Sequence, residues 1–263
     1  MHLRPLAAAV LVLGLTGAAL PARATDLAAH RAVYSLHLES THGGDVQAAT
    51  GTMAYEVQDA CDGWAVRQRL QMTVTNRDGQ DIDMLSDYTT WESKDGLRLR
   101  FRTRQTTDQA VTSDIAGEAT LNATGGTGSA HFTSPDDSTK PLPAGTLFPM
   151  KHTEALLAAA EAGKKFLALP LFDGTSAGGA QDSSIVVTQW GGPQPDKWSA
   201  LAKLPSGRFR LAFFDRGPAS MEPDYEVSMR YWSNGVANDL SMDFGDFVMA
   251  GKLSEFRLLK PHC

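Results

Sequence analysis

Long runs in which apolar and polar residues strictly alternate are the feature that most limits what this chain can fold into. Within residues 97–105, Leu97, Leu99 and Phe101 alternate with four arginines. A period of two places successive side chains on opposite faces of an extended strand, so each run predicts a strand with one buried and one solvated face. Further runs predict the other strands, at 33–38, 51–57, 64–76, 185–188, 208–214, 225–232 and 256–259.

Turn signals and one short helical pattern complete the predicted architecture. Three Asx-Gly pairs, at 78–79, 95–96 and 234–235, tolerate the positive φ angles of tight hairpins, and hairpins make a sheet antiparallel. Residues 153–162 have the composition of a helix, with Thr153 as the predicted N-cap and Gly163 just beyond the end. A helix of about ten residues is unstable alone, so we expect it to pack on the sheet. Segments rich in Gly, Ser, Thr and Pro are predicted to be loops, at 122–146, 173–183 and 191–197.

The first 24 residues have the organisation of a secretory signal peptide. Arg4 is followed by an apolar run over residues 6–20, and residues 22–24 match a small-x-small cleavage pattern. About 15 apolar residues are fewer than the ~20 that span a bilayer, which disfavours the alternative of a transmembrane anchor. We therefore predict a signal peptide at 1–24, a single exported domain at 25–263, and no membrane-spanning segment.

Charge and cysteine content narrow the class of partner and the compartment. The formal net charge is −6, and it becomes −8 once Arg4 and Arg23 leave with the signal peptide. An acidic chain is a poor match for nucleic acid, whose phosphates attract a basic surface. Cys61 and Cys263 are the two cysteines, and an even pair in an exported chain favours a disulfide between them. Two free thiols or intermolecular bonds are the alternatives.

Motifs that carry chemistry are weak in this sequence. Residues 174–178 match G-x-S-x-G, the nucleophile elbow of serine hydrolases, with Ser176 as the candidate nucleophile. An elbow needs a helix after the serine, whereas a Gly-rich turn and a β-type run follow here, so a flexible loop is the favoured interpretation. The seven histidines show no metalloprotease motif or regular ligand spacing, and His152, next to the helix, is predicted to pack or cap. No catalytic residue, metal site or cofactor is predicted.

Arginines on two predicted strand faces form the most unusual feature of the chain. They are Arg67, Arg69, Arg98, Arg100, Arg102 and Arg104. Like charges about 7 Å apart along a strand repel unless they are paired. One interpretation is pairing with Asp or Glu across strands, which also suppresses aggregation through the sheet edge. The other is a docking face for an acidic protein partner or for anionic lipid headgroups.

Several segments in a fixed order carry a resemblance to a known family: residues 30–34, 51–56, 61–64, 86–92, 145–149, 169–174 and the terminal Cys263. Together they resemble the cell envelope integrity protein EipB family of Gram-negative bacteria, a domain of unknown function, over nearly the whole exported chain. The resemblance implies a periplasmic protein in which Cys61 and Cys263 form the family's disulfide. It implies an all-β fold with one packed helix, a strongly bent antiparallel β-spiral or open barrel similar to the lipoprotein carriers LolA and LolB. It implies no enzymatic activity.

Two functional hypotheses account for these features. The first is a non-enzymatic periplasmic protein that supports cell envelope integrity by binding a protein partner or an envelope lipid, acyl chain or lipoprotein. An inner concave face around the helix is the candidate groove, and its predicted lining is Trp91, Phe148, Leu156, Leu157 and Phe172; the same residues suit an ordinary core. The alternative is a periplasmic serine hydrolase that uses Ser176.

Overall fold

The computed structural model describes residues 26–216 and 222–260, which form one antiparallel sheet and one helix. The strands and the helix, in chain order, are β1 (His30–Thr41), β2 (Val46–Asp59), β3 (Gly63–Asn76), β4 (Asp81–Ser93), β5 (Arg98–Thr107), β6 (Ala110–Leu121), β7 (Gly128–Ser134), β8 (Ser138–Leu142), α1 (Pro149–Glu161), β9 (Phe166–Leu171), β10 (Gln181–Gly191), β11 (Ser206–Phe214), β12 (Tyr225–Trp232), β13 (Ala237–Asp243) and β14 (Phe247–Leu258). The predicted fold class, an all-β chain with one packed helix, is therefore confirmed.

The strand order places the first and last strands side by side in the middle of the sheet. Across the sheet the order is β8-β7-β6-β5-β4-β3-β2-β1-β14-β13-β12-β11-β10-β9, and every neighbouring pair is antiparallel. The sheet curls so that β1–β6 and β11–β13 face one another across a shared interior. The C-terminal end of the β9 edge is covered, because the Leu147 N–H donates to the Pro170 carbonyl and the Leu147 carbonyl accepts from the Phe172 N–H. Covering an edge in this way blocks pairing with other chains.

Alternation along the strands fixes which side chains fill the interior. On β5, Leu99 and Phe101 are buried while the four intervening arginines are exposed, as the sequence predicts. Leu156 and Leu157 of α1 pack in the main core with residues of both halves of the sheet. A second core under β5–β8 is aromatic, with the Phe172 ring in edge contact with Phe101, Phe132 and Phe148. Burying each such ring contributes roughly 1.5–3 kcal/mol to folding.

The start of the helix differs from the prediction. Helix α1 begins at Pro149, a residue suited to the first helical position, and not after Thr153. The predicted N-cap Thr153 is wrong, since its hydroxyl lies within the helix and donates to the Pro149 carbonyl. The cap residue Phe148 supplies no side-chain hydrogen bond, and the free N–H groups of Met150 and Lys151 donate to the Glu92 carboxylate of β4 instead. A cap that comes from 58 residues away in the chain leaves no local sequence signal.

Two predicted loops contain strands. Residues 122–146 include the short strand β7 and the edge strand β8, and the predicted loop 173–183 ends inside β10. These Ser- and Thr-rich runs lack strong alternation, and pairing with β6 and β9 holds them extended. Positive φ at Gly79, Gly96 and Gly235 confirms the three predicted Asx-Gly turns.

Candidate functional site

A cavity of about 700 Å³ occupies the interior of the curled sheet. Its walls come from β1–β6 on one side, from β11–β13 on the other, and from α1. The lining is mainly apolar, and Lys, Arg and Glu do not contribute to it among the described residues. Pockets of 300–1,000 Å³ with this character are typical of small-molecule sites.

Tyrosine and methionine are concentrated in the cavity wall. All five tyrosines of the chain line it, namely Tyr34, Tyr55, Tyr88, Tyr225 and Tyr231. So do six of the seven methionines among the described residues, namely Met53, Met72, Met84, Met150, Met229 and Met242. Methionine adapts to irregular apolar shapes, and tyrosine combines a large apolar ring with a hydroxyl. This wall can therefore follow the shape of a flexible apolar ligand.

The tyrosine hydroxyls are held by neighbouring groups. The Tyr34 hydroxyl donates to the Ala237 carbonyl and the Tyr88 hydroxyl donates to the Asp173 carbonyl, each at 2.9 Å. Burial raises the pKa of both phenols well above the usual value, as it does for Tyr55. The phenols consequently stay neutral, and their hydrogen bonds fix the orientation of the rings.

The lining of the cavity is most exposed at one end. At the ends of β4–β6, lining residues reach solvent: Met84 is 39% exposed, and Gln105 and Thr112 are also exposed. At the opposite end, the turn at Gly235 contacts Leu27 so closely that an added Cβ would lie 2.7 Å from the leucine side chain. A ligand would therefore enter past Met84.

A buried histidine and serine lie beside this wall. The His152 Nε2 is 2.8 Å from the Ser183 Oγ, and that hydroxyl donates its one hydrogen to the Leu169 carbonyl at 2.7 Å. The serine can only accept from the ring, so His152 carries its proton on Nε2. Burial lowers the pKa of His152 to about 4, which keeps the ring neutral. The pair ties α1 to β10, and the histidine cannot take the serine proton as a catalytic base would.

Glu92 is a second buried titratable group, at the first turn of α1. Its Oε2 accepts the Met150 N–H at 2.7 Å, and its Oε1 accepts the Lys151 N–H at 3.0 Å. Desolvation raises the pKa of Glu92 to about 7, with the two backbone donors acting in the opposite direction. A carboxylate here stabilises the helix start through free N–H groups and the helix dipole.

The five residues predicted to line a groove do not lie together. Leu156 lines the cavity, whereas Leu157, Phe148 and Phe172 are at most 1% exposed and lie within the packed cores. Trp91 lies on the outer face, where Arg98 and Arg100 each lie 5.6 Å from its ring centroid. The prediction of one groove for the five is corrected accordingly. Phe148 and Phe172 fill the space under β5–β8. Trp91 faces outwards, on the same side of the sheet as the arginines.

The hydrolase motif forms a turn. The Ser176 hydroxyl accepts the Gly178 N–H at 3.0 Å, and strand β10, not a helix, follows the motif. Gly174 has φ +78, and a side chain there would collide with Phe101. Packing and turn geometry therefore account for the glycines, and the strained strand-to-helix elbow that a nucleophile needs is not formed.

The six predicted arginines share the outer face of β3 and β5. Arg69 forms a bidentate ion pair with Asp87, and Arg102 and Arg104 both bind Asp114 at 2.9 Å. Arg67, Arg98 and Arg100 form no ion pair with any described residue. The predicted cross-strand pairing thus accounts for half of the set.

Some predictions concern residues beyond those described. The predicted signal peptide at 1–24 and Cys263 both fall there, so the signal peptide and the Cys61–Cys263 disulfide stay predictions. Within 26–216 and 222–260, no group of three or more His, Cys, Asp and Glu side chains is placed to hold a metal ion. The helix in that part of the chain is neither long enough nor apolar enough to cross a membrane.

Sequence reasoning missed the residues that define the cavity. The inward positions of Tyr34, Tyr55 and Tyr88 alternate with outward ones exactly as core residues do. The available signal was the position of the tyrosines, since all five lie at inward-facing positions of strands. Tyrosines at so many interior positions indicate the wall of a cavity, because a tyrosine hydroxyl needs a hydrogen-bond partner or water.

Comparison with known proteins places the chain among proteins of similar length. The family model described as EipB-like matches residues 21–260. The cell envelope integrity protein EipB of Brucella abortus is 32% identical over 248 residues, which cover 91% of this chain and 87% of that protein. The crystal structure of a β-barrel-like protein from Brucella abortus, a domain of unknown function, is 30% identical, with a TM-score of 0.80 over 89% of this chain and 99% of the other. The family match spans every strand and the helix.

Proposed function

The chain belongs to the EipB-like family, and from this premise we propose that it supports cell envelope integrity by holding an acyl chain of an envelope lipid in its cavity. The relative in Brucella abortus is named for envelope integrity, and this name supports the general role in the proposal. The acyl ligand is the finer part. The cavity of about 700 Å³ lined by tyrosine and methionine is the observation that carries it.

The charge of the cavity favours an apolar ligand. Asp173 is the one acidic side chain in the described lining, and burial raises its pKa. Burial also lowers the pKa of His30 and His152, so both rings favour the neutral form. A lining without Lys or Arg among the described residues gives no counter-charge to a phosphate or carboxylate. The headgroup would therefore stay at the mouth near Met84 while the chain lies inside.

A binding role fits the chemistry better than hydrolysis. The hydrogen of Ser183 is committed to the Leu169 carbonyl, and Ser176 accepts a backbone N–H within its turn. His152 meets Ser183 as a donor, and among the described residues no histidine or carboxylate accepts from Ser176, so the general base that activates a serine is missing from both. We therefore propose a non-enzymatic protein.

The compartment proposed for this activity is the periplasm. The first 24 residues have the signal-peptide pattern, and Cys61 and Cys263 would pair in an oxidising space. An envelope lipid or the acyl chains of a lipoprotein are ligands available there. A protein partner remains the alternative source of the envelope role.

Direct binding of a fluorescent fatty acid tests the proposal. Protein purified from periplasm and delipidated is titrated with dansyl-undecanoic acid, whose emission rises in an apolar site. Leu70→Trp places an indole in the cavity from β3, and we expect it to weaken binding at least tenfold. Gln71→Trp places the same indole on the outer side of the same strand and should bind as the wild type does. Absence of any emission increase with the wild type, or equal weakening in both variants, would refute cavity binding.

A further inference from the structure

The outer face of β1–β5 carries a basic surface, defined here as Arg31, Arg67, Arg69, Arg98, Arg100, Arg102, Arg104 and Trp91 and called the Arg surface. Strand register places its members in rows. Thr89 of β4 lies opposite both Arg67 and Arg102, and Trp91 lies opposite Arg100. Four strand spacings, from β1 to β5, and six residue steps along β5 give the surface a size of about 20 Å by 20 Å.

The charges on this face do not cancel. Seven arginines accompany five nearby carboxylates, which leaves a local excess of two positive charges on a chain of net charge −6; the carboxylates are those of Glu56, Asp87, Asp95, Asp114 and Glu118. Asp81 and Asp83 lie on the same face at the far end of β4, where they accept from Thr75 and Thr73. Glu56 lies opposite Arg67 in the register, yet it accepts from Gln58 at 2.6 Å and lies 3.7 Å from Arg31. Arg67 is consequently left without an ion pair among the described residues.

A shallow concavity lies beside this unpaired arginine. Its volume is about 280 Å³, and its charged lining consists of three arginines and two carboxylates, namely Arg31, Arg67, Arg69, Glu56 and Asp87. Arg31 and Arg69 pair with the two carboxylates, which leaves Arg67 for an added anion. Guanidinium groups bind phosphate oxygens in a bidentate way, and Arg67 has donors to spare. The concavity therefore suits a phosphate group that binds Arg67.

Trp91 adds an interfacial anchor to the charged surface. Its indole lies over Gly63 of β3, where a Cβ would come within 2.5 Å of the ring, and this close packing holds the half-buried ring against the sheet. The unpaired Arg98 and Arg100 flank it. Tryptophan beside arginine is the combination found at membrane–water interfaces, since the ring is apolar and its N–H is polar.

We propose that the Arg surface docks the protein on a membrane through the phosphates of anionic phospholipid headgroups, with one phosphate in the concavity beside Arg67. An acidic protein is a weaker match, because protein interfaces depend on central apolar anchors in fitted pockets and Trp91 is the one large ring of this surface. Binding to a charged bilayer needs only the broad positive face. The inference does not depend on the cavity, since the Arg surface lies on the opposite side of the sheet.

Vesicle co-sedimentation tests the proposal. The wild type is expected to bind vesicles of equal parts phosphatidylglycerol and phosphatidylcholine, to ignore pure phosphatidylcholine, and to dissociate at 0.5 M NaCl. Arg67→Gln with Arg100→Gln should weaken binding roughly 30-fold, because each basic residue near an anionic membrane contributes about a factor of five.

The matched control is Arg208→Gln with Arg210→Gln on β11, which removes the same charge from two arginines paired with Asp239 and Glu226. It should bind within about twofold of the wild type. Equal losses in both double variants, or no binding of the wild type to anionic vesicles, would overturn the proposal, as would binding to a polyglutamate peptide but not to vesicles. Arg98→Gln serves as a second variant if the first does not fold, and the cavity variant Leu70→Trp should keep vesicle binding.

Discussion

The first turn of α1 brings together two buried groups whose protonation changes stability in opposite directions. The pKa of Glu92 is about 7 against an ordinary 4.5, and the pKa of His152 is about 4 against an ordinary 6.5. A tenfold change in a proton-binding constant is about 1.4 kcal/mol, so each group is linked to roughly 3 kcal/mol of unfolding free energy. Replacing one group at a time leaves the pH dependence of stability that the other group causes.

The sign for Glu92 follows from its raised pKa. Between pH 4.5 and 7 the folded protein keeps a proton on Glu92 that the unfolded chain has released. Its stabilising contribution is therefore fully present below pH 4.5 and is lost as the pH rises to 7.

The sign for His152 is the reverse. Between pH 6.5 and 4 the unfolded chain binds a proton that the folded protein excludes. Its contribution is therefore fully present above pH 6.5 and is lost as the pH falls to 4. In the wild type the two slopes oppose each other between pH 4.5 and 6.5.

Urea unfolding at steps between pH 4.5 and 7 measures these slopes. Relative to the wild type, Glu92→Gln should lose stability progressively as the pH falls, by about 3 kcal/mol across the range, on top of a constant loss of about 1 kcal/mol for the weakened cap. His152→Gln should show the opposite trend. Glu161→Gln, the same substitution at the exposed far end of the helix, is the control. A difference between Glu92→Gln and the wild type that stays constant from pH 4.5 to 7 would refute the reasoning.

Three further predictions concern covalent chemistry and packing. Thiol counting in denaturant should find no free thiol in periplasm-purified protein, and two free thiols would contradict the predicted disulfide. Cys61→Ala should lower the melting temperature, since a bond to Cys263 would contribute up to roughly 5 kcal/mol to stability. A fluorophosphonate probe should leave Ser176 unlabelled, and labelling lost in Ser176→Ala would revive the hydrolase alternative. Gly63→Ala should cost about 1–3 kcal/mol in urea unfolding, because the new methyl group displaces the Trp91 ring; an unchanged midpoint would argue against that contact.

The periodicity of the sequence was sufficient to predict the sheet, but it did not predict the short strands β7 and β8 or the start of the helix. The alternation at 64–76 and 97–105 predicts β3 and β5 with the correct buried faces, because a two-sided strand must keep its parity along its length. Strands β7 and β8 escaped, since their extended conformation depends on pairing with β6 more than on their own composition. The helix start escaped for a similar reason, because Glu92 supplies the capping oxygens from another strand.

The candidate site was less predictable than the fold. Periodicity says that Tyr88 and Phe101 both point inwards, and it does not say whether atoms or empty space lie opposite. Phe101 meets Phe132 and Phe172, whereas Tyr88 faces the cavity. The Arg surface was visible in the sequence, but its division into paired and unpaired arginines depends on carboxylates such as Asp114 that only the register brings near.

The cavity itself follows from a mismatch of lengths. Strands β2 and β3 each have 14 residues, which extend about 46 Å at 3.3 Å per residue. Helix α1 has 13 residues and is about 20 Å long at 1.5 Å per residue. A helix anchored by Glu92 near the ends of the strands can fill about half of the interior, and the remainder must be filled by long side chains or left open. Tyrosine and methionine line that remainder without closing it, which is why the large cavity extends beyond the helix towards Met84 and not around its buried face at Leu157.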